Sequence, residues 1–218
     1  MLLTTDVLRQ EACIFSAAES VHPEPSLFGV DNGKTIGTYL ELKLRLYLIR
    51  KGYQFDEGNA ANGLDFPGLN VDIKVTSIKQ PQSSCPFRSI RQKVYGLGYS
   101  LMVFVYSKTD DQLGHTANLR ITNTIFVDAD QTADFQMTKG LLEILDNEGN
   151  EDDLMAFMSE RSLTADEIEL TNLASEVIKK RPEQGYLTIS PALQWRLQYK
   201  RVIDKAGEVP GVLSVYKG

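Results

Sequence analysis

The chain has few of the residues that build metal cages or covalent scaffolds. Two cysteines (Cys13, Cys85) and two histidines (His22, His115) are scattered over 218 residues. Neither pair has zinc-site spacing, and two distant cysteines make no disulfide framework. Neither cysteine has a neighbouring histidine-and-acid set, which disfavours a thiol nucleophile. No run of eighteen apolar residues occurs, which excludes a membrane-spanning helix. The start, Met1-Leu2-Leu3-Thr4-Thr5-Asp6, has neither the basic head nor the apolar core of a signal peptide, so a reducing, cytoplasmic setting is expected. There is no internal repeat. No G-x-x-x-x-G-K-[ST] loop is present either, which argues against an ATP-driven machine in one chain.

Positive charge is also scarce overall: 23 Lys and Arg stand against 29 Asp and Glu, a net charge of −6. Such a sum argues against a polyanionic partner, but its distribution argues the other way. Residues 34–108 hold eleven basic and five acidic residues, and residues 179–205 seven and two; residues 128–169 hold two and thirteen. Two basic segments around an acidic middle suit a local nucleic-acid surface with the acidic part turned away. They equally suit ordinary solvated faces.

The hydrophobic pattern predicts a short helix over about residues 5–18, then a loop marked by Pro23 and Pro25. A strong helix follows over about 34–51, where Ile36, Leu40, Leu44, Tyr47 and Leu48 recur every three to four residues and Gly52 is the stop. Tyr53-Gln54-Phe55 reads as a short strand. Pro67-Gly68 is a turn between two short runs, a hairpin. In its second run Leu69, Val71, Ile73 and Val75 face one way, and Asn70, Asp72, Lys74 and Thr76 the other. A loop with Pro81 and Pro86 precedes a helix over 87–97. Leu101 to Tyr106 is a continuous apolar run, expected as a central strand covered on both faces. Another strand is expected over 118–127. Beyond it come a helix over 137–145, a helix opened by Thr164 with Glu167 as capping box and running to about Lys180, a strand at 186–189, a last helix from Pro191 to about Ala206, and a strand at 212–216.

One constellation carries chemistry: Asp65, six residues, then Asp72-Ile73-Lys74. Two carboxylates on neighbouring strands can hold a hard divalent cation, which needs few protein ligands besides waters and substrate oxygens. The Ile73 carbonyl is a further candidate ligand. A lysine beside them can orient an attacking water and favour its hydroxide form. The bland alternatives are a salt bridge between Asp72 and Lys74 on a solvated sheet face, and a turn-capping role for Asp65 before Pro67-Gly68.

These residues in this element order resemble the PD-(D/E)xK nuclease superfamily, which holds most type II restriction endonucleases. The matching positions are Asp65, Asp72 and Lys74, over about residues 34–127. Leu64 stands where the motif has proline, and the second acid is Asp rather than the more frequent Glu. The resemblance implies an α/β (α+β) restriction-endonuclease-like core, a central mixed β-sheet flanked by helices, with a mainly helical C-terminal region. The expected division is a core at 1–130 and a recognition or dimerisation region at 131–218. In many such proteins an acid on the first helix joins the metal site; Glu41 is the candidate here, although pairing with Arg45 four residues on explains it equally well. Arg88, Arg91, Gln92 and Lys93, following the motif, and Arg196 and Lys200 in the last predicted helix are candidate DNA contacts. The implied function is Mg²⁺-dependent, site-specific hydrolysis of double-stranded DNA, with Mn²⁺ able to substitute. A homodimer and a cognate DNA methyltransferase are the expected partners. A repair or structure-specific nuclease of the same fold, and an inactive DNA-binding module, stand as alternatives.

Overall fold

Thr4 starts the first helix by accepting the Val7 N–H on its hydroxyl, and α1 (Thr5–Glu19) buries Leu8, Ala12 and Phe15 on one face. This computed structural model describes residues 1–56, 58, 63–85, 89–161, 166–190 and 196–218. A two-residue strand, β1 (Pro23–Glu24), leads to α2 (Gly33–Arg50). Asn32 caps α2, and Ile36, Leu40, Leu44 and Leu48 form its buried stripe. Gly52, at φ +83°, ends the run where a side chain would be strained.

The strand β2 (Val71–Ser77) is followed by β3 (Gln82–Ser84), a short α3 (Arg91–Tyr95), and two long strands, β4 (Ser100–Asp111) and β5 (Thr116–Val127). Three helices come next: α4 (Phe135–Asp146), α5 (Glu151–Glu160) and α6 (Glu167–Lys179). The chain ends with β6 (Thr188–Ser190), β7 (Arg196–Gln198), α7 (Lys200–Lys205) and β8 (Val212–Lys217).

The main sheet runs β1-β5-β4-β2, and β8 also pairs with β5. β2 lies parallel to β4, and the other pairings are antiparallel, so the sheet is mixed. As expected for its unbroken apolar run, β4 is buried on both faces. Met102, Phe104 and Tyr106 pack with α1 and α2. Leu101, Val103 and Val105 pack with Leu187, Ile189, Leu197 and Tyr199 from the C-terminal part. Each such buried side chain contributes roughly 1.5–3 kcal/mol. A third cluster joins α3 to α4, α5 and α6 through Val94, Leu141, Leu154, Met158 and Leu173. The architecture is a central mixed sheet flanked by helices, an α+β fold of restriction-endonuclease type.

Several local expectations are corrected. Tyr53–Phe55 forms a single parallel bridge, Gln54 to Leu2, rather than a strand, because among the described residues no further strand lies beside it. The Pro67-Gly68 hairpin tightens into a 3₁₀ turn at Pro67–Leu69 closed by one bridge, Phe66 to Val71, with Asn70 at φ +55°. The helix expected over 87–97 is shorter. Residues 86–88, including Arg88, lie outside the described residues, and Gly96 at φ +82° stops it after Tyr95. Asp166, not Thr164, caps α6, accepting the Glu169 N–H at 2.7 Å; residues 162–165 lie outside the described residues. Of the helix read from Pro191 to about Ala206, residues 191–195 lie outside the described residues, and the rest is strand β7 followed by the single turn and a half of α7. Arg196-Leu197-Gln198 alternates polar, apolar, polar, and burial of Leu197 against Ile189 selects that two-residue period. Trp195 lies outside the described residues. Finally, α5 carries a capping box, Asn150 with Asp153, which the hydrophobic pattern alone did not reveal.

Candidate active site

β2 is an edge strand, so alternate backbone N–H and C=O groups face away from β4. The N–H of Ile73 is donated to Asp65 Oδ2 at 2.8 Å. That bond fixes the first acid of the motif beside the strand of the second. The N–H and C=O of a strand residue point to the same side, so the Ile73 carbonyl faces Asp65 as well. Asp72 and Lys74 share the face of the sheet that carries their register partners, Leu101 and Val103. Lys74 Nζ lies 2.7 Å from Asp72 Oδ2, with the two side chains only 19% and 6% exposed. The salt bridge of the bland reading is therefore present, but it is held in the protein rather than on a wet sheet face.

Glu41 reaches the same cluster from α2. Burial, reinforced by the Asp65 carboxylate and less strongly by Asp72, raises its pKa to about 7 against the opposing charges of Lys74 and Arg45. Asp72 is pushed up to about 6, first by burial and then by the adjacent Asp65, while Lys74 pulls it down. Burial alone would lower the Lys74 pKa, but the Asp72 charge and hydrogen bond outweigh it and hold the ammonium above the ordinary lysine range. Lys74 is thus a fixed positive charge and hydrogen-bond donor rather than a proton acceptor.

Arg45 is the residue that sequence reasoning missed. It lies one turn beyond Glu41 on α2, and its guanidinium pairs with Asp65 Oδ1 rather than with Glu41. Its spacing from Glu41 gave the only sequence signal, and that signal pointed to the wrong partner. Asp65 does cap backbone, as its bland reading held, but it caps Ile73 of β2 and not the Pro67-Gly68 turn. A cleft of about 660 Å³ behind that turn, lined by Leu2, Leu3, Phe55, Phe66 and Leu69, contains none of the site residues. The acid cluster lies instead at the sheet edge.

Among the described residues no group of three or more His, Cys, Asp or Glu side chains is arranged as a metal cage. The cluster fits a more sparsely held cation. Asp65 and Asp72 are adjacent hard oxygen donors, and burial and crowding raise both Glu41 and Asp72, a strain that a divalent cation relieves.

The other candidate residues scatter. Arg91 is engaged by both oxygens of Glu176 on α6 and stacks over Tyr95. Lys93 is 4% exposed, inside the protein near Asp134. Gln92 is half-buried. Arg196 and Lys200 are exposed, Lys200 with Asp204 at 3.1 Å. No helix among the described residues is long and apolar enough to cross a membrane.

A mixed sheet of this type with acids and a lysine gathered at one edge strand defines the chain as restriction-endonuclease-like. The match to the family described as "Type II restriction enzyme NspV" spans residues 2–214. The chain belongs to that family. It is 62% identical over 216 residues to the type II restriction enzyme NspV of Nostoc sp., an alignment covering 99% of this chain and 98% of that relative. No solved structure matches the chain.

Proposed function

We propose that this protein is a site-specific, Mg²⁺-dependent endonuclease of the PD-(D/E)xK type that hydrolyses phosphodiester bonds of double-stranded DNA. The observation that carries the reading is the bond from Ile73 N–H to Asp65 Oδ2, which sets Asp65 beside the strand of Asp72 at the open edge of β2, with Lys74 against Asp72. Asp65, Asp72 and the Ile73 carbonyl would hold the cation, with Glu41 completing the set through α2; Mn²⁺ has the same hard-ligand preference. When bound, the cation supplies Lewis acidity and charge neutralisation at the phosphate.

Lys74 donates to the water poised to attack and stabilises its hydroxide form. As that oxygen bonds to phosphorus, the water's proton passes to solvent, the P–O ester bond on the opposite side breaks and the departing oxygen takes a proton from solvent, leaving a phosphate monoester on one end and a hydroxyl on the other. Arg196, Lys200 and Arg91 are the exposed members of the candidate DNA contacts, Arg91 engaged by Glu176, whereas Gln92 is half-buried and Lys93 buried. Residues 131–218 serve recognition and dimerisation, two copies meeting the two strands of a symmetric site. The setting is the cytoplasm, where a DNA methyltransferase of the same specificity protects the host.

The test is a digest of unmethylated plasmid and phage DNA with Mg²⁺, beside EDTA and Lys74→Ala controls. Discrete fragments that disappear in both controls are expected. Absence of cleavage by the wild-type protein across metals and substrates overturns the reading; cleavage only at forks, ends or mismatches replaces restriction by repair.

A further inference from the structure

The second, smaller sheet pairs β3, β7 and β6, antiparallel throughout. Its two faces differ completely. Leu197 and Ile189 point inward, buried against Val103 and Val105 of β4. Ser83 also points inward, its hydroxyl 2.6 Å from that of the buried Tyr199. The alternate positions form the outer face in two registered rows: Gln82, Gln198 and Thr188 in one, Ser84, Arg196 and Ser190 in the other. Ser84, Arg196 and Gln198 are exposed and the other three half-exposed.

All six residues end in hydrogen-bonding groups, and none is acidic. Among the described residues their side chains make no hydrogen bond or ion pair with one another or with neighbours, so their donors and acceptors face outward unspent. An unpaired arginine, two amides and three hydroxyls form a poor surface for a hydrophobic partner. They form a good one for base edges, since Arg and Gln make bidentate pairs with purines and hydroxyls contact either base. Two neighbouring strands of the sheet, about 4.8 Å apart, make a ribbon of the kind that the roughly 12 Å major groove admits.

The position of this face ties it to the candidate active site. β3 follows β2 after a tight turn and is anchored back onto it: Thr76 Oγ1 accepts the Gln82 N–H at 2.9 Å. The inner face of the small sheet covers the same side of the main sheet that carries Asp72, Lys74 and Thr76. The Cys85 thiol, just past β3, lies within electrostatic reach of Lys74. Cleavage groups and outward-facing polar rows thus sit on consecutive strands.

We propose that the outer face of the small sheet, Gln82, Ser84, Thr188, Ser190, Arg196 and Gln198, reads the base edges of double-stranded DNA and sets the sequence specificity of cleavage. This rests on the endonuclease reading above. Gln82, Arg196 and Gln198 are the discriminating residues; the hydroxyls fix register between them.

The experiment uses the full-length protein and a duplex carrying the site defined by the ends of the wild-type plasmid fragments, beside duplexes with each single base-pair change. If wild type makes no fragments, the endonuclease reading fails and this inference with it. If wild type cuts, Arg196→Ala, Gln198→Ala and Gln82→Ala are compared on the whole duplex set, with melting curves to check folding. Each is expected to lose about tenfold to a hundredfold in discrimination at one base-pair position, with little change in the salt dependence of binding. Unchanged discrimination in all three folded variants overturns the proposal. So does a uniform loss on every duplex with a shallower salt slope, which makes the face a phosphate contact. Conversion of a dimer to a monomer overturns it in favour of a subunit interface.

Discussion

The guanidinium of Arg45 pairs with Asp65 Oδ1, while the other oxygen of Asp65 holds the Ile73 N–H. In the free protein Arg45 therefore neutralises one of the three carboxylates that surround the site. Its Nε is buried without a partner among the described residues, so the arginine is only partly satisfied there. Arg45→Ala leaves Glu41, Asp65 and Asp72 facing Lys74 alone. Stability in EDTA is expected to fall by about 1–3 kcal/mol, as for loss of one partner of a partly buried pair. Saturating Mg²⁺ should then raise the melting temperature by several degrees more than it does for wild type, because ligand binding offsets the repulsion. Equal Mg²⁺ shifts in the two proteins would show that Arg45 does not compensate the site.

Asp65 has two separable duties, charge and backbone capping, and two substitutions separate them. Asp65→Asn keeps an oxygen for the Ile73 N–H but removes the charge. Asp65→Ala removes both and leaves a buried edge N–H unmet, at a cost of about 1–3 kcal/mol. Both variants should lose cleavage by at least a hundredfold. Only Asp65→Ala should unfold at clearly lower urea. Should Asp65→Asn retain near-wild-type cleavage, the first acid is not a cation ligand and the motif is misread.

The parts of this site that lie along one strand are legible in sequence, and the parts made by contact between elements are not. Asp72 and Lys74 share a face because strand periodicity is two, which the alternation of Val71, Ile73 and Val75 announces. The stripe on α2 likewise fixes which side faces the sheet, and so places Glu41. Arg45 is a tertiary matter: it meets Asp65 because α2 packs against β2, to which Asp65 is tied through the Ile73 N–H. The segment 196–206 misleads for a different reason. Three strand residues and Tyr199 followed by a short helix reproduce amphipathic spacing by coincidence, and only packing of Leu197 on Ile189 breaks the tie. α5 escapes because its apolar stripe is brief, Leu154 and Met158, although Asn150-Glu151-Asp152-Asp153 is a strong start signal.

Acid stability should be sensitive to Glu24, far from the cleavage residues. Burial would raise its pKa, but hydrogen bonds from the Ser26 hydroxyl and backbone N–H, from Tyr39, and the charge of Lys43 together lower it to about 2. A carboxylate depressed in the folded state contributes stability above its unfolded pKa, near 4.5, and loses it as pH falls toward 2. Glu24→Gln is therefore expected to be less stable than wild type at pH 6–7, with the gap closing between about pH 4.5 and pH 2. Urea denaturation across that range measures it. A gap that stays constant down to pH 2 would mean that the substitution acts through packing or capping of the turn at Pro25, not through charge.

Asp134 joins the C-terminal sheet to the helical part, and its two oxygens are both committed. Oδ1 accepts the Met137 N–H at 2.9 Å and so caps α4; Oδ2 accepts the Ile189 N–H of β6 at 2.7 Å. The residue is only 7% exposed, so neither N–H finds water readily when the carboxylate is lost. Asp134→Ala should cost about 2–4 kcal/mol, the sum of a lost cap and an unmet buried donor. Asp134→Asn keeps the cap but turns an NH₂ toward Ile189, so it should recover only the helix portion. Hydrogen exchange separates the two effects: Ile189 should exchange faster in both variants, and Met137 only in Asp134→Ala. Because Ile189 anchors the inner face of the small sheet, both variants should also blur the fragment pattern of a plasmid digest while leaving Lys74 and the acids in place. Protection of Ile189 unchanged from wild type in Asp134→Ala would remove the link between this carboxylate and the sheet, and with it the expected loss of discrimination.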